Sequence, residues 1–104
     1  MKSVNSNNFN DFIKNDTSIV QFSATWCGPC KTLSTTMDSL SKEFNQTQIG
    51  KIDIDDAMDI ANQFNIRSVP VVILFENGKE KARTVGAKPV NAMRSFISSN
   101  LSAS

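Results

Sequence analysis

Ala24-Thr25-Trp26-Cys27-Gly28-Pro29-Cys30-Lys31 is the stretch on which the fold turns. The apolar run Ile19 to Phe22 leads into it, and a helical pattern, Leu33, Met37, Leu40 and Phe44, leads out. The two cysteines therefore fall where a buried strand hands over to a helix N-terminus. Residues three apart on a helix share a face, so the two sulfurs can meet and bond at roughly 2 Å. The first turn also offers unpaired N–H groups and the positive end of the helix dipole, which favour a thiolate at Cys27. Pro29 loses little there, because a first-turn N–H has no helical partner and proline already has a helical φ. The predicted chemistry is a dithiol that opens and closes.

A bare C-x-x-C is a weak signal, shared with zinc knuckles and haem attachment sites. The hexapeptide Trp26-Cys27-Gly28-Pro29-Cys30-Lys31 between a strand and a helix is far more specific. Val69-Pro70, Asn77-Gly78 and Val85-Gly86-Ala87 follow at matching spacings. On these residues the chain resembles the thioredoxin family over nearly its whole length.

The chain has 104 residues, a net charge of +1 and 20% charged residues. That is enough for one domain, 1–104, burying roughly 65% of its unfolded surface without staples. No basic face or acidic tail points to nucleic acid or a membrane as partner. Lys2 is followed by Ser3, Asn5, Ser6 and Asn7, which is no apolar core for a signal peptide. The longest apolar run, Val69 to Phe75, contains a proline and falls far short of the roughly 20 residues that span a bilayer. The expectation is a cytoplasmic monomer, a setting in which a lone C-x-x-C is more often catalytic than structural.

The absence of histidine excludes Ser-His and Cys-His nucleophile pairs, H-E-x-x-H metal sites and imidazole acid–base work. Two thiols in one chain cannot build a four-cysteine zinc site. A structural pair, or one bridging a metal across a dimer, is the competing reading of Cys27 and Cys30. No resident metal or cofactor is expected, so electrons must come from a partner.

Taken in order, Met1 to Val4 reads as a short edge strand. Asn5 to Asn8 offers N-caps for a helix carrying Phe9, Phe12 and Ile13, and Asn15-Asp16-Thr17-Ser18 reads as a turn. Ile19 to Ala24 is a strand with Val20, Phe22 and Ala24 on one face and Ile19, Gln21 and Ser23 on the other. After the long helix to about Phe44, Gln48 to Ile54 forms a second strand, interrupted by Gly50. The two strands should be parallel with a right-handed crossover. Asp55 or Asp56 is placed to cap a third helix through Ala57, Ile60, Ala61 and Phe64. Val71 to Phe75 is continuous apolar sequence, as in a strand covered on both faces. Asn77-Gly78 predicts a type I′ hairpin turn to an antiparallel strand, Lys79 to Val85. Pro89 opens a last helix with Val90, Met93, Ile97 and Leu101 inward, and Ser102-Ala103-Ser104 frays. This βαβαβαββα order fits an α/β architecture. The resemblance implies the thioredoxin fold, a central mixed five-stranded sheet flanked by four helices.

Cys27, nearest the helix end, is the expected nucleophile, with a pKa well below the free thiol's value of about 8.5. Cys30, a turn deeper, is the expected resolving thiol. The resemblance implies a protein-disulfide reductase acting on disulfide-containing proteins and re-reduced by a thioredoxin reductase. It also implies a substrate surface made by Trp26, Gly28, Pro29, Val69, Pro70, Gly86 and Ala87. Within that surface Val69-Pro70 is a cis bond and the backbone of Val69 pairs with an extended substrate segment. Lys51 is implied beneath the site as an influence on proton traffic, and Lys31 serves the surface potential near Cys27.

Three departures from the family pattern stand out: Gln21 in place of a buried aspartate, Thr35 in place of a kinking proline, and Ser68 in place of a glycine. Thr35 predicts a straighter or more stable helix, and Ser68 a narrower range of partners. With an amide at position 21, the proton of Cys30 must go to water, to the departing thiolate or through Lys51. Two rival functions remain open at this stage. One is a binding module of the same fold with an incidental dithiol; the other is an oxidant or isomerase, against which the resemblance argues, since Gly-Pro between the cysteines is the family's reductase form.

Overall fold

The computed structural model describes residues 1–101, and the fraying expected of Ser102-Ala103-Ser104 lies outside them. In chain order the elements are β1 (Lys2–Val4), α1 (Phe9–Ile13), β2 (Thr17–Ser23), α2 (Gly28–Glu43), β3 (Gln48–Asp53), α3 (Met58–Gln63), β4 (Val71–Glu76), β5 (Lys79–Val85) and α4 (Val90–Asn100). The five strands form one sheet in the order β1-β3-β2-β4-β5. β3 runs parallel to both β1 and β2, while β4 is antiparallel to β2 and to β5.

Period-two alternation along β2 and β3 sends apolar side chains to both faces of the sheet. On one face Val20, Phe22, Ile52 and Ile73 pack with Phe9 and Phe12 of α1 and Ile60 of α3. Phe9, Phe22, Phe64 and Phe75 form a ring cluster there, with Phe9 and Phe64 each edge-on to Phe75 at 5.7 and 5.3 Å, an arrangement aromatic pairs prefer. On the other face Ile19, Ile49, Val72 and Leu74 meet Leu33, Met37 and Leu40 of α2 and Met93 and Ile97 of α4. β4, an interior strand, is apolar and buried from Val71 to Phe75, as its sequence predicts.

Gly50 has a packing reason. A Cβ there would lie 2.6 Å from Val4 Cγ2 and 2.9 Å from Phe12 Cζ, so the absence of a side chain lets α1 sit against β3. Asn77 and Gly78 both have positive φ, 53° and 84°, which is the type I′ turn expected of this pair.

The structure differs from the sequence reading at several boundaries. Thr17 and Ser18 belong to β2, because both pair with β4 and the buried Ser18 hydroxyl donates to the Phe12 carbonyl at 2.8 Å. At its other end β2 stops at Ser23 rather than Ala24, whose carbonyl accepts the Cys27 N–H at 3.2 Å and turns the chain. β3 ends at Asp53 rather than Ile54. Neither Asp55 nor Asp56 caps α3: its N-cap is Ala57, without a side-chain bond, since Asp55 is engaged elsewhere. Pro89 occupies the N-cap of α4 rather than its first turn, and Val90 is 39% exposed. The segment before α1 is organised by Asn5, whose Oδ1 accepts the N–H groups of Asn7 and Asn8, both at 2.9 Å.

Candidate active site

β2 and α2 build the site together. β2 sits at the centre of the sheet and ends at Ser23, and three residues of loop carry the chain to Cys27, the N-cap of α2. A disulfide closes Cys27 to Cys30, with Cα atoms 5.3 Å apart. Cys27 Sγ accepts the Cys30 backbone N–H at 3.1 Å. A sulfur thus fills the capping role usually taken by an oxygen, at the positive end of a 16-residue helix. Cys27 is 5% exposed and Cys30 fully buried, so the first sulfur is the more accessible. Both pack with Ala24, and Ile54 and Val69 lie against them. The helix runs unbroken through Thr35, whose hydroxyl donates to the Lys31 carbonyl at 3.4 Å.

The Val69-Pro70 peptide is cis. It holds the Val69 carbonyl 3.8 Å from Cys27 Sγ. Next to it, the Gly86 N–H donates to the Pro70 carbonyl at 2.8 Å, with Gly86 at φ 94°, a conformation glycine adopts at little cost. Gly28, Pro29, Ser68 and Ala87, each a chain neighbour of Cys27, Cys30, Val69 or Gly86, are exposed. The structure therefore gathers the disulfide, Val69-Pro70 and Gly86 from three distant stretches of chain.

Trp26 is 68% exposed, and its indole Nε1–H donates to Asp55 Oδ2 at 2.9 Å. Asp55 is itself held by a bond from its N–H to Asp53 Oδ1 at 2.9 Å. Sequence reading missed this role, taking Asp55 for a helix cap; its one signal was a run of acids just past the end of β3.

Gln21 is fully buried. Its Nε2 donates to the Cys30 carbonyl at 3.2 Å and to Ser34 Oγ at 3.1 Å. Ser34 was also missed, although at four residues past Cys30 it shares that cysteine's helix face. Lys51 is the register partner of Gln21 across β2 and β3, but its side chain is exposed. Lys31, Ser34, Lys51, Asp53 and Asp56 line a cleft of about 710 Å³ beside the site. No group of three or more histidine, cysteine, aspartate or glutamate residues among the described residues is arranged to hold a metal ion.

The comparisons with known proteins agree with this geometry. The Thioredoxin family model matches residues 1–99. A thioredoxin of Chlamydia caviae is 41% identical over 97 residues, 93% of this chain and 95% of the relative. Thioredoxin-1 of Saccharomyces cerevisiae is 39% identical over 82 residues, 79% of each chain. A solved structure of Plasmodium falciparum thioredoxin superposes with a TM-score of 0.91 at 29% identity, covering 97% of this chain and 100% of that one.

Proposed function

Since the chain belongs to the thioredoxin family and is a protein-disulfide oxidoreductase acting by dithiol–disulfide exchange through Cys27 and Cys30, we propose that it works as a reductase with Cys27 as nucleophile. The observation that carries this is the position of the disulfide, with Cys27 capping α2 and Cys30 buried one turn deeper. The N-cap site and the Cys30 N–H at 3.1 Å both favour a thiolate on Cys27 over one on Cys30.

In the reduced protein the Cys27 thiolate attacks one sulfur of a substrate disulfide. The other substrate sulfur leaves as a thiolate and a mixed disulfide forms. Cys30, losing its proton, attacks Cys27 and displaces the second substrate thiolate, so two electrons pass to the substrate and Cys27–Cys30 is oxidised. A thioredoxin reductase then returns two electrons.

Val69 and Pro70, with Gly86 and Ala87, form the groove that takes an extended substrate strand by backbone pairing. Trp26, fixed by Asp55, and the exposed Gly28 and Pro29 form its flank. Lys51 and the Gln21 amide act on the proton leaving Cys30, Lys51 from the cleft rim and Gln21 from inside. Among the described residues no helix is long and apolar enough to cross a membrane, and the cytoplasm is the proposed setting.

The test is an insulin-reduction assay with NADPH and a thioredoxin reductase. Turbidity from free insulin B chain should develop only with all components present; no acceleration over dithiothreitol alone, when dithiothreitol is the electron source, would overturn the assignment. A second readout comes from Trp26, since disulfides quench indole emission on contact. The chain has one tryptophan and no tyrosine, so emission should rise on reduction. Unchanged emission, with thiol titration confirming reduction, would place the indole away from the disulfide.

A further inference from the structure

We propose that Gln21 is a positioning residue whose side-chain oxygen lacks a donor while Cys27–Cys30 is a disulfide and accepts the Cys30 thiol proton once the pair is reduced, so that this side chain favours the reduced form. The inference rests on the dithiol reading above and concerns the redox equilibrium of that same site.

Gln21 Oε1 is the one buried side-chain nitrogen or oxygen among the described residues without a hydrogen-bond partner. The amide cannot simply turn over. Its Nε2 serves the Cys30 carbonyl and Ser34 Oγ; reversed, two acceptor oxygens would face each other and the N–H groups would be stranded. Lys51, on the neighbouring strand, is exposed at the cleft. A buried acceptor without a donor disfavours the state that contains it. Here that state is the oxidised one.

Reduction supplies a donor. When dithiothreitol reduces the pair, two electrons break the S–S bond, and the reductant closes to its cyclic disulfide. Each protein sulfur then takes a proton, or Cys27 stays a thiolate. Cys30 is fully buried, so its new S–H also needs a partner, and the amide already bonded to the Cys30 backbone carries the unused acceptor. An S–H is a weak donor, but the bond satisfies two buried groups at once. Oxidation removes the donor and strands the oxygen again.

Gln21→Met keeps an unbranched side chain of similar length and deletes the acceptor. In glutathione redox buffers its dithiol–disulfide equilibrium should lie about tenfold further toward the disulfide than the parent's, a potential about 30 mV more negative. Ser34→Ala removes a partner of Nε2 but leaves Oε1 in place, and should leave the equilibrium within about twofold of the parent's. A Gln21→Met shift below twofold, or one matched by Ser34→Ala, overturns the proposal, as would a water filling the acceptor in both redox states. The Cys27→Ser protein gives a direct reading even if Gln21→Met does not fold, because its single thiol is Cys30. Its Raman S–H stretch should sit at the lowered frequency of a hydrogen-bonded thiol, and a band at the frequency of an unbonded thiol overturns the proposal. Insulin reduction by the parent, measured alongside, separates a failure here from a failure of the dithiol reading itself.

Discussion

Cys30→Ser is expected to collect partner proteins as mixed disulfides that persist until an external thiol is added, while Cys27→Ser collects none. Both lose multiple-turnover insulin reduction by about 10³-fold or more, the scale on which deleting a nucleophile acts. The difference between them comes from the order of attack. Cys27 caps α2 and is the less buried sulfur, and Cys30 lies behind it, fully buried. With serine at position 30 the first exchange still occurs, but no second thiolate is present to release the product. With serine at position 27 the remaining thiol cannot reach a large substrate. Non-reducing gels of each variant, incubated with a disulfide-bonded protein, decide the matter. Trapped complexes on Cys27→Ser and none on Cys30→Ser would reverse the assignment.

The second large effect is expected from Gln21→Asp. Position 21 is fully buried, and its amide makes bonds to the Cys30 carbonyl and Ser34 Oγ. The shorter aspartate cannot donate to the carbonyl when ionised, and burial disfavours its charged form. Lys51 on the adjacent strand is exposed, so its attraction is screened by solvent and desolvation dominates. The folded-state pKa of the new carboxyl should therefore rise above the unfolded value of about 3.9. A group with a raised folded pKa is least unfavourable below its unfolded pKa, where both states are protonated. The loss grows as pH climbs through the window between the two values, then levels off above the folded pKa. Each unit of elevation costs about 1.4 kcal/mol at the high-pH plateau. A rise of about two units would thus make the variant less stable than the parent by about 2 kcal/mol more at pH 8 than at pH 4. Urea unfolding of both proteins across that range measures it. A difference independent of pH would mean that the carboxyl at position 21 is solvated.

The same residue marks where sequence reading stopped. The strand alternation puts Gln21 on the face of Ile19 and Ser23, and the resemblance marks it as a departure from the family. Neither shows that its Nε2 is divided between Cys30 and Ser34 while Oε1 is left over. Asp55 is a similar case. Its position before an apolar-periodic run made it a reasonable cap, and a cap is a local bond. The tryptophan that claims it lies 29 residues earlier in the chain.

By itself the sequence determined the strand–Cys27-Gly28-Pro29-Cys30–helix unit, the buried character of β4 and the Asn77-Gly78 hairpin. Each depends on interactions within a few residues: side-chain period, first-turn N–H groups, and the positive φ that Asn-Gly tolerates. Tertiary structure decided what lies across the chain. It placed β3 between β1 and β2 and β4 on the far side of β2, used Gly50 to admit Phe12, and extended β2 back through Thr17 and Ser18 by pairing with β4. It also chose the cis form of Val69-Pro70 and set that carbonyl against Cys27, 42 residues away. Local sequence leaves an X-Pro bond free to take either form within about 0.5–1 kcal/mol. A preference that small yields to the packing of the surrounding chain, so the choice belongs to the fold.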